Sequence, residues 1–114
     1  MPQRRPLRPD SVLSKLRDIC LSLPGAAEVT KWRHPNFVVG KKVFAVYEKY
    51  KGEWAICFKA EPEQQRFLVD ADPRFYVTPY VGKHGWVSMK VEPRVRWPDV
   101  KRFVKDSYAL VVET

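Results

Sequence analysis

Apolar residues near the start of the chain recur at steps of three and four positions, the spacing of one face of an α-helix. Ser11 is a suitable residue to begin such a helix, and Pro24 followed by Gly25 would end it. The pattern therefore predicts an amphipathic helix that packs its apolar stripe on the core. The stripe consists of Val12, Leu13, Leu16, Ile19, Cys20 and Leu23.

The middle of the chain alternates short apolar stretches with turn-forming residues. Residues 37–48 predict two strands around a turn at Gly40. A second turn at Gly52 leads into a third strand over residues 54–59, and the three strands form an antiparallel meander. The polar residues 26–36 before them predict a connection rather than a strand.

The pattern then predicts a second helix over residues 61–72, with Pro62 in its first turn. Residues 75–81 form a fourth strand, and Pro79 indicates that this strand lies at a sheet edge or is interrupted there.

The sequence GKHG at residues 82–85 turns the chain into a fifth strand over residues 86–92, and its glycines can adopt positive φ. Pro98 suits the first position of a third helix over residues 97–113. The predicted buried face of this helix consists of Val100, Phe103, Val104, Ser107 and Val111. Its predicted outward side carries Lys101, Lys105 and Tyr108.

The elements follow one another in the order α-β-β-β-α-β-β-α. Strands joined by short turns predict an antiparallel sheet, and three amphipathic helices would cover one face of it. The predicted fold class is therefore α+β, a two-layer α/β sandwich. The length of 114 residues suits one domain, which we place at residues 11–114. Residues 1–10 contain three prolines and three arginines and predict a disordered basic arm.

Cysteine usage and hydropathy indicate a cytoplasmic protein. Cys20 and Cys57 are too far apart for a zinc half-site or a CxxC redox motif, so we expect two reduced, buried thiols. No apolar run approaches the roughly 20 residues that cross a bilayer. The first ten residues lack the apolar stretch of a secretory signal.

The net charge makes some classes of partner more plausible than others. The chain carries +8, and its C-terminal third is the most basic part. A positive field attracts nucleic acid, an anionic membrane surface or acidic protein, although it also serves simply to keep a surface soluble. Among these partners we expect nucleic acid and no membrane.

The first candidate binding cluster lies in the predicted connection and contains Lys31, Trp32, Arg33 and His34. An indole beside cations suits a nucleic acid, because Trp32 can stack on an unpaired base while its neighbours contact phosphates. The alternative is that Trp32 packs on the sheet and its neighbours remain in water.

Two predicted turns add further candidate cations. Lys41 and Lys42 lie at the first hairpin turn. Lys83 and His84 lie in the GKHG tip, where flanking glycines would let a phosphate approach backbone N–H groups. A charged, solvated turn explains either pair equally well.

The last cluster lies between the fifth strand and the third helix. Arg94 and Arg96 alternate, so an extended segment would point both side chains the same way. Together with Lys101, Arg102 and Lys105 they would form a positive stripe for a phosphate backbone. Lys90 in the fifth strand, with Lys59 in the third, would add to one basic surface if these strands expose the same face. The alternative is a solvated helix face whose lysine stems cover apolar surface.

The sequence does not assemble a catalytic or metal site. His34 and His84 are the only histidines, and neither has a partner at ligand spacing. The GxxxxGK[ST] pattern of a phosphate-binding loop is absent. We therefore expect a protein without enzymatic activity, cofactor or metal.

Taken in order, several segments resemble the MmcQ/YjbR family, small proteins described as DNA-binding. These segments are CLSLPGAAE at 20–28, WRHPNF with GKKVFAVY at 32–47, CFKAEPEQQRFL at 57–68, ADPRFYVTPYVGKHGWVSM at 71–89 and DSYALVVE at 106–113. The resemblance implies a fold similar to secretion chaperones, α-β(3)-α-β(2)-α, which agrees with the order above. Many members carry N-K-x-H-W before the last strand, whereas this chain has GKHGW, so no role of that asparagine is carried over.

The resemblance implies a protein that binds DNA through a basic surface. The alternative is a protein-interaction or chaperone-like module that receives a partner peptide on its sheet face or edge strand. A basic exposed sheet face would favour nucleic acid, and an apolar patch of several hundred Å² would favour a protein.

Overall fold

A computed structural model of the chain describes residues 9–113, with side chains from Ser11 onward. The helices in this range are α1 (Pro9–Leu21), α2 (Pro62–Ala71) and α3 (Trp97–Glu113). The strands are β1 (Ala26–Lys31), β2 (His34–Val39), β3 (Lys42–Tyr50), β4 (Glu53–Lys59), β5 (Phe75–Val77) and β6 (Trp86–Lys90).

The six strands form one antiparallel sheet in the order β1-β2-β3-β4-β6-β5. α3 crosses β3 and β4 at the centre of the sheet, α1 packs on β1, and α2 packs near β5 and β6. All three helices lie on the same face. The predicted fold class, a two-layer α+β sandwich, is confirmed.

The core fills the space between the sheet and the helices. Phe58 of β4 stacks on Phe103 of α3 with ring centroids 4.8 Å apart, and Phe75 meets Phe103 edge-on at 5.8 Å. Phe44 of β3 meets Tyr108 of α3 edge-on at 5.3 Å. These aromatic pairs fix α3 across the two central strands, because stacked and edge-on arrangements are the favoured geometries of aromatic rings.

A buried serine adds a polar anchor between α3 and the sheet. The Ser107 hydroxyl donates a hydrogen bond to the carbonyl oxygen of Phe44 at 2.7 Å and accepts one from the backbone N–H of Lys59 at 2.9 Å. The residue is fully buried. One side chain therefore satisfies backbone groups of both β3 and β4, which their strand pairing leaves without a partner.

The element order contains one strand more than the sequence predicted. Residues predicted as a polar connection form β1, which pairs with β2 from Ala26 opposite Val39 to Lys31 opposite His34. β1 is an edge strand and contains polar residues. Its strand conformation depends on the partner strand, so the weak apolar alternation of its sequence did not reveal it.

Two further predictions about the helices are wrong. α1 already includes Pro9, so Ser11 lies inside the helix and is not its N-cap. Tyr108 is not directed outward, because its ring packs on Phe44 and its hydroxyl donates a hydrogen bond to the carbonyl oxygen of Pro24. Of the predicted basic arm, residues 1–8 lie outside the described residues and the last two belong to α1.

The other predicted elements are present, although β5 ends at Val77 and β6 at Lys90, before the predicted ends at residues 81 and 92. α3 has the predicted bounds and the predicted buried face. β5 is an edge strand and ends before Thr78, as Pro79 indicated. Cys20 and Cys57 are free and buried. Within residues 9–113 no helix combines the length and the apolar character needed to cross a bilayer.

Replacing Ser107 by alanine is expected to destabilise the fold by about 2 kcal/mol, because it leaves a buried carbonyl and a buried N–H unpaired. Equilibrium urea unfolding measures the change. The control is Ser14→Ala on the exposed side of α1, which should change the unfolding free energy by less than about 0.5 kcal/mol. Equal effects of the two substitutions would contradict the anchoring role of Ser107.

Candidate functional site

The sheet face opposite the helices carries a groove of about 760 Å³. The groove crosses β2, β3, β4 and β6 and is closed on one side by the segment that follows β5. Its lining combines aliphatic, aromatic and polar side chains and consists of Lys31, Trp32, His34, Asn36, Val43, Val46, Glu48, Lys49, Tyr50, Cys57, Thr78, Pro79, Tyr80, Val81 and Trp86.

The floor of the groove is built from small residues joined by hydrogen bonds. The Cys57 sulfur lies 3.2 Å from the Ser88 hydroxyl, which in turn lies 2.9 Å from the Thr78 hydroxyl. Burial, and to a lesser extent the nearby Glu48 carboxylate, raise the pKa of Cys57 to about 12. Cys57 is therefore a neutral structural thiol rather than a nucleophile.

Two tyrosines pack against each other on this face of the sheet. The ring of Tyr50 on β3 stacks on that of Tyr76 on β5 with centroids 6.0 Å apart. The pair reaches across the two strands that lie between them, β4 and β6. Desolvation raises the pKa of the Tyr76 hydroxyl, which approaches Ser88 without forming a hydrogen bond of good geometry.

Two aromatic side chains stand at the rim of the groove almost entirely in solvent. Trp32 is 89% exposed and Tyr80 is 96% exposed. Both have left-handed backbone conformations, with φ of 56° and 70°. Left-handed backbone is costly for residues with a Cβ atom, and such strain is frequent where a side chain must be held in a functional position.

The turn that carries Trp32 has an unusual amino-acid composition. Trp32 and Arg33 form the two-residue connection between β1 and β2, and φ is positive at both. Turns of this kind favour Asn-Gly or Gly-Gly, because those residues adopt positive φ at little cost. Here a large aromatic residue and a cation occupy the turn instead, and both project into solvent.

Cations from two neighbouring hairpin turns flank the Trp32 side of the groove. We call them the basic turns: Lys31 ends β1 and Arg33 lies in the β1–β2 turn, while Lys49 lies near the end of β3 and Lys51 in the β3–β4 turn. Both turns lie at the same end of the sheet, and the Lys51 ammonium lies 5.4 Å from the centre of the Tyr50 ring. Among the ion pairs of residues 11–113, none involves these four side chains.

The predicted site residues do not form one surface. Lys31, Trp32 and Arg33 lie beside the groove, whereas Lys41 and Lys42 lie at the opposite end of the strands, in and after the β2–β3 turn. Lys101 and Arg102 are exposed on α3, in the helical layer on the other side of the sheet.

Several predicted cations already have acidic partners. The Lys90 ammonium lies 3.4 Å from the Glu53 carboxylate. Arg96 and Arg102 both contact the Asp99 carboxylate, at 3.5 and 3.3 Å. Arg94 is exposed in the irregular segment between β6 and α3. These pairs reduce the positive charge that this region offers to a ligand.

The GKHG tip is a structural connection that carries two exposed polar side chains. Gly82 to His84 form a short 3-10 helix rather than a tight hairpin turn. A Cβ atom at Gly82 would lie 2.1 Å from a methyl group of Val77, and one at Gly85 would lie 2.3 Å from the carbonyl oxygen of Ala60. The glycines therefore permit close packing, and Lys83 and His84 remain exposed at the surface.

The α2 helix fixes the same connection from the other side. The Gln65 amide donates hydrogen bonds to the carbonyl oxygens of Gly82 and Trp86, at 2.8 and 2.9 Å. Tyr80 lies in the loop that these two hydrogen bonds hold in place.

The sequence analysis assigned Tyr80 to a strand and missed its position at the rim of the groove. The adjacent Pro79, which ends the strand, was the available indication.

Comparisons with known proteins agree on one family. The family model described as YjbR matches residues 21–110. A similar solved structure is that of the Deinococcus radiodurans protein DR2400, which contains a DUF419 domain. The two folds superpose with a TM-score of 0.79 at 22% identity, over 90% of this chain and 79% of that chain.

None of the curated proteins matches the chain. The likeness to the Deinococcus protein concerns the fold, whereas the family model rests on the sequence and spans most of the chain from the end of α1 to the last turn of α3. The sequence resemblance noted at the outset is thus confirmed, and this chain belongs to the YjbR family.

Proposed function

We propose that this domain binds single-stranded nucleic acid, expected to be DNA, in the groove, without catalysing a reaction. Unpaired bases stack on Trp32 and Tyr80, and the basic turns contact the phosphates. The observation that carries the proposal is the pair of exposed aromatic rings held by left-handed backbone on two sides of one groove.

Stacking is the first physical support. A base buries one of its faces when an aromatic ring packs against it, and each such contact contributes about 1–3 kcal/mol in proteins that bind single strands. An indole and a phenol ring left in water gain more from a flat apolar partner than from solvent. Trp32 and Tyr80 are the two most exposed large hydrophobic residues among those the structure describes.

Charge is the second support. A single strand carries one phosphate per nucleotide, so a groove that receives bases needs cations along its margin. The basic turns supply four cations next to Trp32, and the chain as a whole carries +8. Four phosphate contacts would give a log–log salt slope of about −3 on a single strand. The predicted cations outside the groove, such as Lys83 and Lys101, add a general attraction.

A partner peptide is the second candidate occupant. Val43, Val46 and Val81 give the groove apolar lining, and the outer edge of β1 has no neighbouring strand in the described sheet. A peptide could bind by adding a strand there. The proposal favours nucleic acid because a peptide strand requires neither the exposed rings nor the basic turns.

Removing either rim aromatic is expected to weaken single-strand binding. Trp32→Ala and Tyr80→Ala should each raise the Kd for a labelled dT oligonucleotide about tenfold, in fluorescence anisotropy at fixed salt. The control is Phe67→Ala, which removes a 66% exposed aromatic ring from α2, in the helical layer. Equal effects of all three substitutions, or none, would contradict stacking in the groove.

Charge reversal tests which cations contact the phosphates of the nucleic acid. Lys31→Glu with Lys49→Glu should weaken binding strongly and flatten the salt dependence of the binding that remains, because both residues line the groove. The matched control, Lys101→Glu with Lys105→Glu on the exposed side of α3, makes the same charge change in the helical layer. If the α3 pair weakened binding strongly and the groove pair did not, the site would lie on the helices.

Replacing Trp32-Arg33 by Asn-Gly separates binding from folding. The double substitution should stabilise the protein by about 1 kcal/mol, because it relieves two left-handed residues and removes a side chain with little buried area. It should also weaken oligonucleotide binding, since a stacking ring and a cation are lost. Thermal unfolding and anisotropy on the same samples check both. Unchanged binding would overturn the role of this turn.

A further inference from the structure

We propose that Glu48 makes the groove selective for guanine among unpaired bases. The inference rests on the proposed function, because it assigns a specificity to the same site. Its basis is a half-buried carboxylate that faces the groove of a strongly basic protein and has no cationic partner among residues 11–113.

The position of Glu48 places its side chain on the groove face of β3. It lies opposite Ala55 of β4, whose methyl side chain leaves space above the sheet. Val46 and Tyr50, two residues before and after it on the same strand, also line the groove. Side chains two positions apart on a strand share a face, so the carboxylate lies on the groove face, near the end of β3 that leads into the β3–β4 turn.

Ion pairing does not account for this carboxylate. The acidic side chains Glu28, Glu53, Asp72 and Asp99 each form an ion pair. Glu48 instead has a side-chain hydrogen bond with the Cys57 thiol, a weak donor that burial keeps neutral. One weak donor leaves most of the acceptor capacity of a half-buried carboxylate unused, so a ligand that donates hydrogen bonds to Glu48 provides a reason for its presence.

A second acceptor accompanies Glu48 on the groove face. The Asn36 amide nitrogen donates to the carbonyl oxygens of Lys31 and His34, at 3.4 and 2.9 Å. These bonds fix the amide orientation, so the side-chain oxygen remains as the acceptor that it can offer to a ligand. Asn36 lies opposite Val46 and therefore shares the face of Glu48.

The chemistry of an ionised carboxylate selects donors. Its two oxygens accept hydrogen bonds and donate none. Guanine presents two neighbouring N–H donors on its Watson–Crick edge, at N1 and N2, which match a carboxylate in a bidentate pair. Adenine, cytosine and thymine each present donors from only one nitrogen on that edge. A guanine stacked at the rim with this edge toward the sheet therefore makes the most hydrogen bonds.

The test compares oligonucleotides that differ in one base. Labelled dT 12-mers with a central dG, dI, dA, dC or dT are titrated against the protein by fluorescence anisotropy. The wild-type protein should bind the dG oligonucleotide about tenfold more tightly than the all-dT one. The dI oligonucleotide lacks the N2 amino group and should lose most of that advantage.

Glu48→Gln should remove the preference for dG while it keeps or strengthens binding to all-dT, since a negative charge is lost. The retained dT affinity shows that the variant is folded. The matched control is Glu53→Gln, an exposed glutamate at the start of β4 that pairs with Lys90. This control should keep the preference for dG.

The outcomes separate this inference from the proposed function. Equal binding of all five oligonucleotides by the wild-type protein, or a dG preference that survives in Glu48→Gln, would overturn the guanine inference and leave the groove as a nonspecific site. Absence of binding to every oligonucleotide at low salt would overturn the proposed function and the inference together.

Discussion

All three helices lie on one face of the sheet, so the other face must bury its central residues without a second layer. A sheet covered on one side normally presents polar side chains to water on the other. Here the centre of the uncovered face is made of Ala55, Cys57 and Ser88, which are small and fully buried. Larger side chains around them close the surface and leave a groove.

Ser107 and the aromatic pairs of α3 hold this helix against the sheet. They tie the helix to β3 and β4, the strands that also supply much of the groove floor. The β3–β4 turn connects these two strands, and the β1–β2 turn that carries Trp32 lies at the same end of the sheet. The rigid helical side of the domain therefore positions the side chains of its open side, as expected when a scaffold carries a binding site on its loops.

Family membership does not by itself assign a function to this chain. A fold shared at 22% identity accommodates many activities, and function depends on the residues of the site. In this chain the site is defined by strained, exposed aromatic residues beside unpaired cations and one carboxylate. Each of these features opposes folding stability or contributes little to it. That combination is frequent in surfaces that have been retained for binding.

The elements with strong periodicity, namely the helices and the central strands, could be predicted from the sequence, because burial of an apolar stripe dictates the spacing along the chain. The sequence analysis used this spacing. It also located Lys31, Trp32 and Arg33, where a tryptophan stands between cations. It missed β1, whose strand conformation depends on pairing with β2, since an edge strand carries little apolar alternation of its own.

Which of the candidate cations lie together, and which side chains remain in water, depends on the tertiary structure. Trp32 was compatible with packing or with exposure until the backbone of its turn was known, and Tyr80 had the pattern of a strand residue. Glu48 became distinctive only when the sheet register placed it in the groove without an ion-pair partner among residues 11–113. Such properties arise from contacts between residues distant in sequence, which local pattern and composition do not encode.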